Sequence, residues 1–307
     1  MEWLLFAFLL ALIALPFGME RMRSPMSPDT RQDAPGQFAA LTDGQTHYEW
    51  HGPENGPVAV FVHGLSTPSW VFTGLIRGVN MMGYRVLTYD LFGRGYSDRP
   101  RHAQDHDFFD RQLRELLGDQ NISGKIVLLG YSMGGAIATV FAAKTPERVE
   151  RLILLAPAGL DYTPAPLLLR ARNWGPVGNW IWGLLGARHL RNGAKSDAGS
   201  PTVIPDLPAR MSRETNMRGY LRSVLSAERN TLTKSLESEH RALAKSTVSV
   251  VSIWGEKDDV IPVSSVGKLT QWNRGAHKVV IPGATHALGY VNPREVLTAI
   301  QENLREV

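Results

Sequence analysis

The sequence predicts an α/β protein built on a mostly parallel, doubly wound sheet with an inserted helical cap. Three observations carry that prediction. Short apolar runs of strand type alternate with helix-compatible stretches over residues 58–155 and again from residue 248 to the end. One of those runs, 126–129, leads through Gly130-Tyr131-Ser132-Met133-Gly134-Gly135 into the small, helix-compatible residues 136–143. Between the two alternating halves, 157–229 loses the rhythm: prolines and glycines are frequent, Trp174, Trp180 and Trp182 cluster, and basic residues outnumber acidic ones.

In chain order, residues 3–17 carry no charge and are almost wholly apolar, with Arg21 and Arg23 behind them. A secretory signal would start on a basic residue and end at a small-x-small cleavage site, and neither is present. The charges lie after the apolar run, so the positive-inside rule predicts a retained anchor over 1–20 with the bulk of the chain cytoplasmic. A cleaved signal followed by export, and a merely buried helix, are the alternatives. Residues 21–36, with Pro25, Pro28 and Pro35, read as a flexible linker. Two strands, 38–41 and 46–50, flank the Asp43-Gly44 turn. Strands follow at 58–62, 85–89, 126–129 and 149–155, with helices expected over 70–82 and 106–117. After the cap, helices are expected over 231–244, 263–272 and 293–305, and strands over 248–254 and 278–281. The domain plan is therefore a core of 37–156 plus 231–307, with 157–230 as the cap.

The composition narrows the function. At 307 residues the chain is long enough for one large α/β domain with an insertion. A net charge of +4, with no long basic run, points away from nucleic acid. The absence of cysteine excludes disulfides, thiolate metal sites and a cysteine nucleophile. No phosphate-loop spacing appears, and nothing in the pattern calls for a cofactor or a metal.

Strand, glycine-flanked serine and helix is the context that turns G-x-S-x-G into a nucleophile elbow. A serine on so sharp a turn holds strained backbone angles, and its flanking residues approach closely enough to require glycine. The elbow raises the Ser132 oxygen above the sheet and aims the following amides at a nascent oxyanion.

The order of landmarks resembles the α/β-hydrolase fold family from about residue 38 onward, the cap excepted. The matching residues are His63-Gly64 after the third strand, Ser132, Trp254-Gly255-Glu256-Lys257-Asp258, and Gly283-Ala284-Thr285-His286. The resemblance implies that His286 is the base, that Asp258 holds the imidazole, and that the backbone amides of Leu65 and Met133 form the oxyanion hole. Asp259 is the neighbouring alternative acid. Asp161 is a second, because some members carry the acid after the sixth strand. His63 is expected to position the oxyanion loop, and Asp90 with Gly93 and Gly95 resembles the family's tight D-x-x-G-x-G-x-S loop. The remaining histidines read as surface or core residues.

Dehalogenases and epoxide hydrolases of this family carry aspartate where Ser132 stands, so serine acyl chemistry is expected. The substrate would be a small or lipid-like carboxylic ester, and the membrane would be met through the N-terminal segment. C–C hydrolysis of a dienoic ketoacid is the alternative within catalysis, with Arg170, Arg172 and Arg188 of the cap suited to an anionic substrate. A non-catalytic ligand receptor is the alternative outside it. Tyr131 matches neither the histidine common before the serine in lipase-like members nor the asparagine of C–C hydrolases. The cap tryptophans read either as the cap's own core or, beside Arg170, Arg172, Arg188 and Arg191, as an interfacial surface.

Overall fold

The computed structural model describes residues 1–305. Eight strands form one sheet: β1 (Gln37–Leu41), β2 (Gly44–His51), β3 (Val58–Val62), β4 (Arg85–Tyr89), β5 (Ile126–Tyr131), β6 (Val149–Leu155), β7 (Ser249–Gly255) and β8 (His277–Ile281). Their spatial order is β1-β2-β4-β3-β5-β6-β7-β8. β1 and β2 pair antiparallel with each other, and β2 with β4; every other pair is parallel. The central strands β3 and β5 carry no charged residue and are apolar along nearly their whole length because both faces of the sheet are covered. All six residues of β5 are buried.

On one face lie α4 (His106–Asp119), α5 (Met133–Lys144) and α10 (Glu237–Leu243), sharing a core with Leu113, Ile137, Phe141 and Trp254. On the other lie α3 (Thr73–Met81), α12 (Leu288–Val291) and α13 (Pro293–Arg305), around Phe61, Leu75, Ile253 and Ile300. A short helix α11 (Ser265–Trp272) bridges β7 to β8. The cap inserted after β6 comprises α6 (Pro166–Asn173), α7 (Gly175–Asp197), α8 (Leu207–Thr215) and α9 (Tyr220–Asn230). Trp182, Tyr220, Leu221, Val224 and Leu225 form its own apolar core.

Three expectations change. The helix over 70–82 divides into a 3₁₀ turn, Ser69–Phe72, and α3. The helix over 231–244 shrinks to Glu237–Leu243, because the Leu236 amide bonds the Gly159 carbonyl instead of continuing a helical ladder. The proline-rich segment behind α1 (Glu2–Met22) is tied down rather than loose. Ser24 makes a parallel bridge to Met217, Ser27 caps the short helix α2 (Pro28–Arg31), and Arg31 donates to the Tyr96 carbonyl and to Asp98. Prolines there remove competing amide donors, but long side chains supply the tertiary bonds.

The tryptophans divide as well. Trp182 is buried in the cap core, Trp174 is exposed, and Trp180 donates its indole N–H to the Leu12 carbonyl of α1 at 3.1 Å.

Candidate active site

The site forms where β3, β5, β7 and β8 end. Ser132 lies between β5 and α5 at φ 55° and ψ −119°, a conformation costly for a residue with a side chain. Two glycines make it attainable. A Cβ at Gly130 would overlap the Gly134 carbonyl, and one at Gly134 would overlap the Val62 carbonyl. The turn is locked by the Ser132 amide donating to Leu155 at 2.9 Å and by the Ser132 carbonyl accepting from Gly135 at 2.9 Å and Ala158 at 3.0 Å.

His286, in the loop after β8, stands with Nε2 3.0 Å from the Ser132 hydroxyl oxygen. Its Nδ1 lies 2.7 Å from Asp258 Oδ2. The other Asp258 oxygen accepts the amides of Val260 at 2.9 Å and Ile261 at 2.8 Å, so the buried carboxylate is fixed in one orientation. With the carboxylate on Nδ1, that nitrogen carries the proton and Nε2 is left as the acceptor facing serine. Asp259 is exposed beside it. Asp161 is engaged elsewhere, accepting from Ser265 at 3.1 Å and pairing with Lys268.

The loop after β3 passes directly over the elbow: a Cβ on Gly64 would meet Ser132 Cβ at 3.4 Å. Neither the Leu65 amide nor the Met133 amide has a hydrogen-bond acceptor among the described residues. Two unsatisfied donors beside a nucleophile are what an oxyanion requires.

His63 is fully committed. Its Nδ1 donates to the Gly64 carbonyl and its Nε2 accepts the Leu91 amide at 2.8 Å, while burial pushes its pKa down to about 4, leaving the ring neutral. Asp90 accepts from the Ser69 amide and hydroxyl, the Tyr96 amide and His47 Nδ1. Burial alone would raise its pKa, but the bond and charge of His47 outweigh that and hold it far below the carboxylate range.

Four further residues act on the site and were not singled out for these roles by the sequence. His47 partners Asp90. Arg94, buried between Gly93 and Gly95, donates to the Leu65 carbonyl at 2.9 Å and to the Phe92 carbonyl, fixing the peptide that follows Leu65. Tyr220 of α9 donates to the Ser66 carbonyl at 2.7 Å, tying the cap to the same loop. Tyr131 stacks on His286 and bonds its carbonyl. Only Arg94 had a local signal, as a bulky cation held between two glycines. The cap arginines do not gather: Arg172 pairs with Glu228, Arg191 bonds Thr215 and Asn216, and Arg170 and Arg188 are exposed.

Comparison with known proteins bears on the fold. The family model described as alpha/beta hydrolase fold matches residues 57–293. Uncharacterized mycobacterial proteins share 31% identity over 106 residues, so the chain spans only 30% of those relatives' length. A putative non-heme chloroperoxidase of Synechocystis is 27% identical across 78% of this chain and 88% of its own. Lipase 1 of Psychrobacter immobilis is 24% identical across 82% and 78%. The crystal structure of the enol-lactonase from Burkholderia xenovorans superposes with a TM-score of 0.71 at 21% identity, covering 88% of this chain and all of that one.

Proposed function

This chain belongs to the α/β hydrolase fold family, and on that premise we propose that it is a serine hydrolase cleaving carboxylic esters at Ser132. The observation that carries the reading is the continuous chain from Ser132 Oγ through His286 to Asp258, at 3.0 and 2.7 Å, with two unpaired amides alongside.

In this reading His286 Nε2 takes the hydroxyl proton as Ser132 Oγ bonds to the ester carbonyl carbon. The carbonyl oxygen becomes an oxyanion held by the Leu65 and Met133 amides; losing one such donor costs about 3 kcal/mol. Asp258 stabilises the imidazolium and keeps its tautomer. When the carbon–oxygen bond breaks, the imidazolium gives its proton to the leaving alkoxide, and an acyl-Ser132 intermediate remains. Water then repeats the steps, with His286 accepting its proton and the carboxylic acid released.

The anchor belongs to the same proposal. α1 is long and apolar enough to cross a membrane, and residues 1–15 are exposed in the folded chain. A lipid-like ester is the substrate class consistent with that placement. An active-site-directed fluorophosphonate should label Ser132 in the purified protein, and an ester panel of graded acyl length should be turned over. Absence of both labelling and turnover would overturn the assignment.

A further inference from the structure

The foot of α1 and the cap border a half-open cavity whose lining includes none of Ser132, Asp258 and His286. Pro16 packs on Gly183 of α7, the Gly219 amide donates to the Glu20 carboxylate, and Arg218 donates to the Arg21 carbonyl. Between helix and cap these contacts leave a cavity of about 820 Å³. Its apolar wall includes Phe17 and Trp180, and its polar wall includes Arg101, Arg218 and Arg222.

The charges do not balance. The two carboxylates lining the cavity are already paired, Glu20 with Arg23 and Asp98 with Arg31. Arg218 and Arg222 each reach a backbone carbonyl, and Arg101 makes no hydrogen bond among the described residues. Partial burial, and next the like charge of Arg101, hold the Arg222 pKa below its ordinary value. These three guanidinium groups have no salt-bridge partner among the described residues. Planar guanidinium groups take phosphate oxygens, like carboxylate oxygens, in paired hydrogen bonds.

The position is equally informative. The apolar run of α1 ends at Phe17, and Glu20, Arg21 and Arg23 follow it. At about 1.5 Å per residue, the fifteen residues before Pro16 span about 22 Å, most of a bilayer's hydrocarbon core. The cavity therefore sits where acyl chains give way to headgroups, the level that Trp180 also favours.

We propose that this cavity seats one anionic phospholipid, its phosphate among Arg101, Arg218 and Arg222 and an acyl chain along Phe17 and Trp180. The proposal rests on reading α1 as the anchor, and the test separates the two. Full-length protein in a non-ionic maltoside is mixed with equimolar phosphatidylglycerol and phosphatidylcholine, and retained lipid is counted by native mass spectrometry. One phosphatidylglycerol per chain is expected, at least fivefold over phosphatidylcholine. Arg101→Glu, a change at an exposed side chain, should bring the ratio close to one, and Arg222→Gln should lower it severalfold. Unchanged thermal melting shows that the fold persists in each variant. Equal retention of both lipids by the wild type, or an unchanged ratio in Arg101→Glu, overturns the proposal. Displacement of the lipid by millimolar inorganic phosphate also overturns it, in favour of a free-phosphate site. Release of the chain from membranes by alkaline carbonate would sink the anchor alone, leaving the lipid ratio to be read independently.

Discussion

Tyr131 donates its phenolic hydrogen to the carbonyl of His286 at 2.6 Å while its ring stacks on the imidazole, the planes 28° apart. The residue before Ser132 thus holds the residue proposed as its base. The hydroxyl acts on the histidine backbone and touches no reacting atom, so Tyr131 is a positioning residue. Tyr131→Phe keeps the stacking and loses a bond worth about 1 kcal/mol. Steady-state kinetics should show kcat reduced about fivefold with KM within twofold.

Ser132→Ala should lower ester turnover by at least about 10⁴-fold, with His286→Ala similar and the double variant little worse, because such groups act as a unit. The fold should survive, since alanine relieves none of the packing around the elbow. A folded Ser132→Ala protein with near-wild-type turnover would remove the serine from the reaction.

Asp258→Asn should cost about 10⁴-fold in kcat by holding the wrong tautomer. Asp259→Asn, at an exposed side chain, should cost less than threefold, and Asp161→Asn should alter only the contact with Ser265 and Lys268. Turnover measured on the three variants side by side decides among the carboxylates.

The cap carries a pH dependence of its own. Glu228 is buried, accepting from Tyr162 at 2.7 Å and Arg172 at 3.2 Å, and burial still pushes its pKa up to about 7 from 4.5. The folded chain therefore keeps a proton that the unfolded chain releases in that interval. The stability this contributes is fully present below pH 4.5 and is lost as pH rises through 7. Thermal melts across that range should fall with rising pH, and Glu228→Gln, which cannot titrate, should flatten the slope.

Removing residues 1–15 should shift the protein from the membrane to the soluble fraction while leaving activity on short soluble esters within twofold. The cut falls ahead of Pro16 because Pro16, Glu20 and Ser24 are part of the cap's packing. A longer deletion, through Ser24, should lower the melting temperature by several degrees. Fractionation and thermal melts check both.

The parts of the fold that were legible share one property: the pattern is local. Strand β3, strand β4 and strand β6 were readable from short apolar runs, and the elbow from five consecutive residues whose types the turn itself dictates. The parts that were not legible depend on partners far away in sequence. Nothing around residue 231 announces that the Leu236 amide will be taken by Gly159. Three prolines near residue 30 imply looseness unless Arg31 is known to reach Asp98. His47 looks like any strand histidine until folding brings Asp90 within 2.8 Å. In the cap, α8 and α9 are amphipathic at helical period, but α7 is not, and its mix of apolar, basic and glycine residues hides where the four helices begin and end.

The Glu20 contact with the Gly219 amide closes a loop of 199 residues. During synthesis at about 5–20 residues per second, α1 therefore exists for some 10–40 s before its seat has been made. Its apolar surface over residues 1–15 has no protein to cover it in that interval, and the finished fold leaves it exposed as well. If α1 is the proposed anchor, the order of synthesis puts membrane entry early and docking against the cap late. On that proposal the sheet completes its folding on a tether, and the contacts of Pro16 and Glu20 with the cap are the last to form.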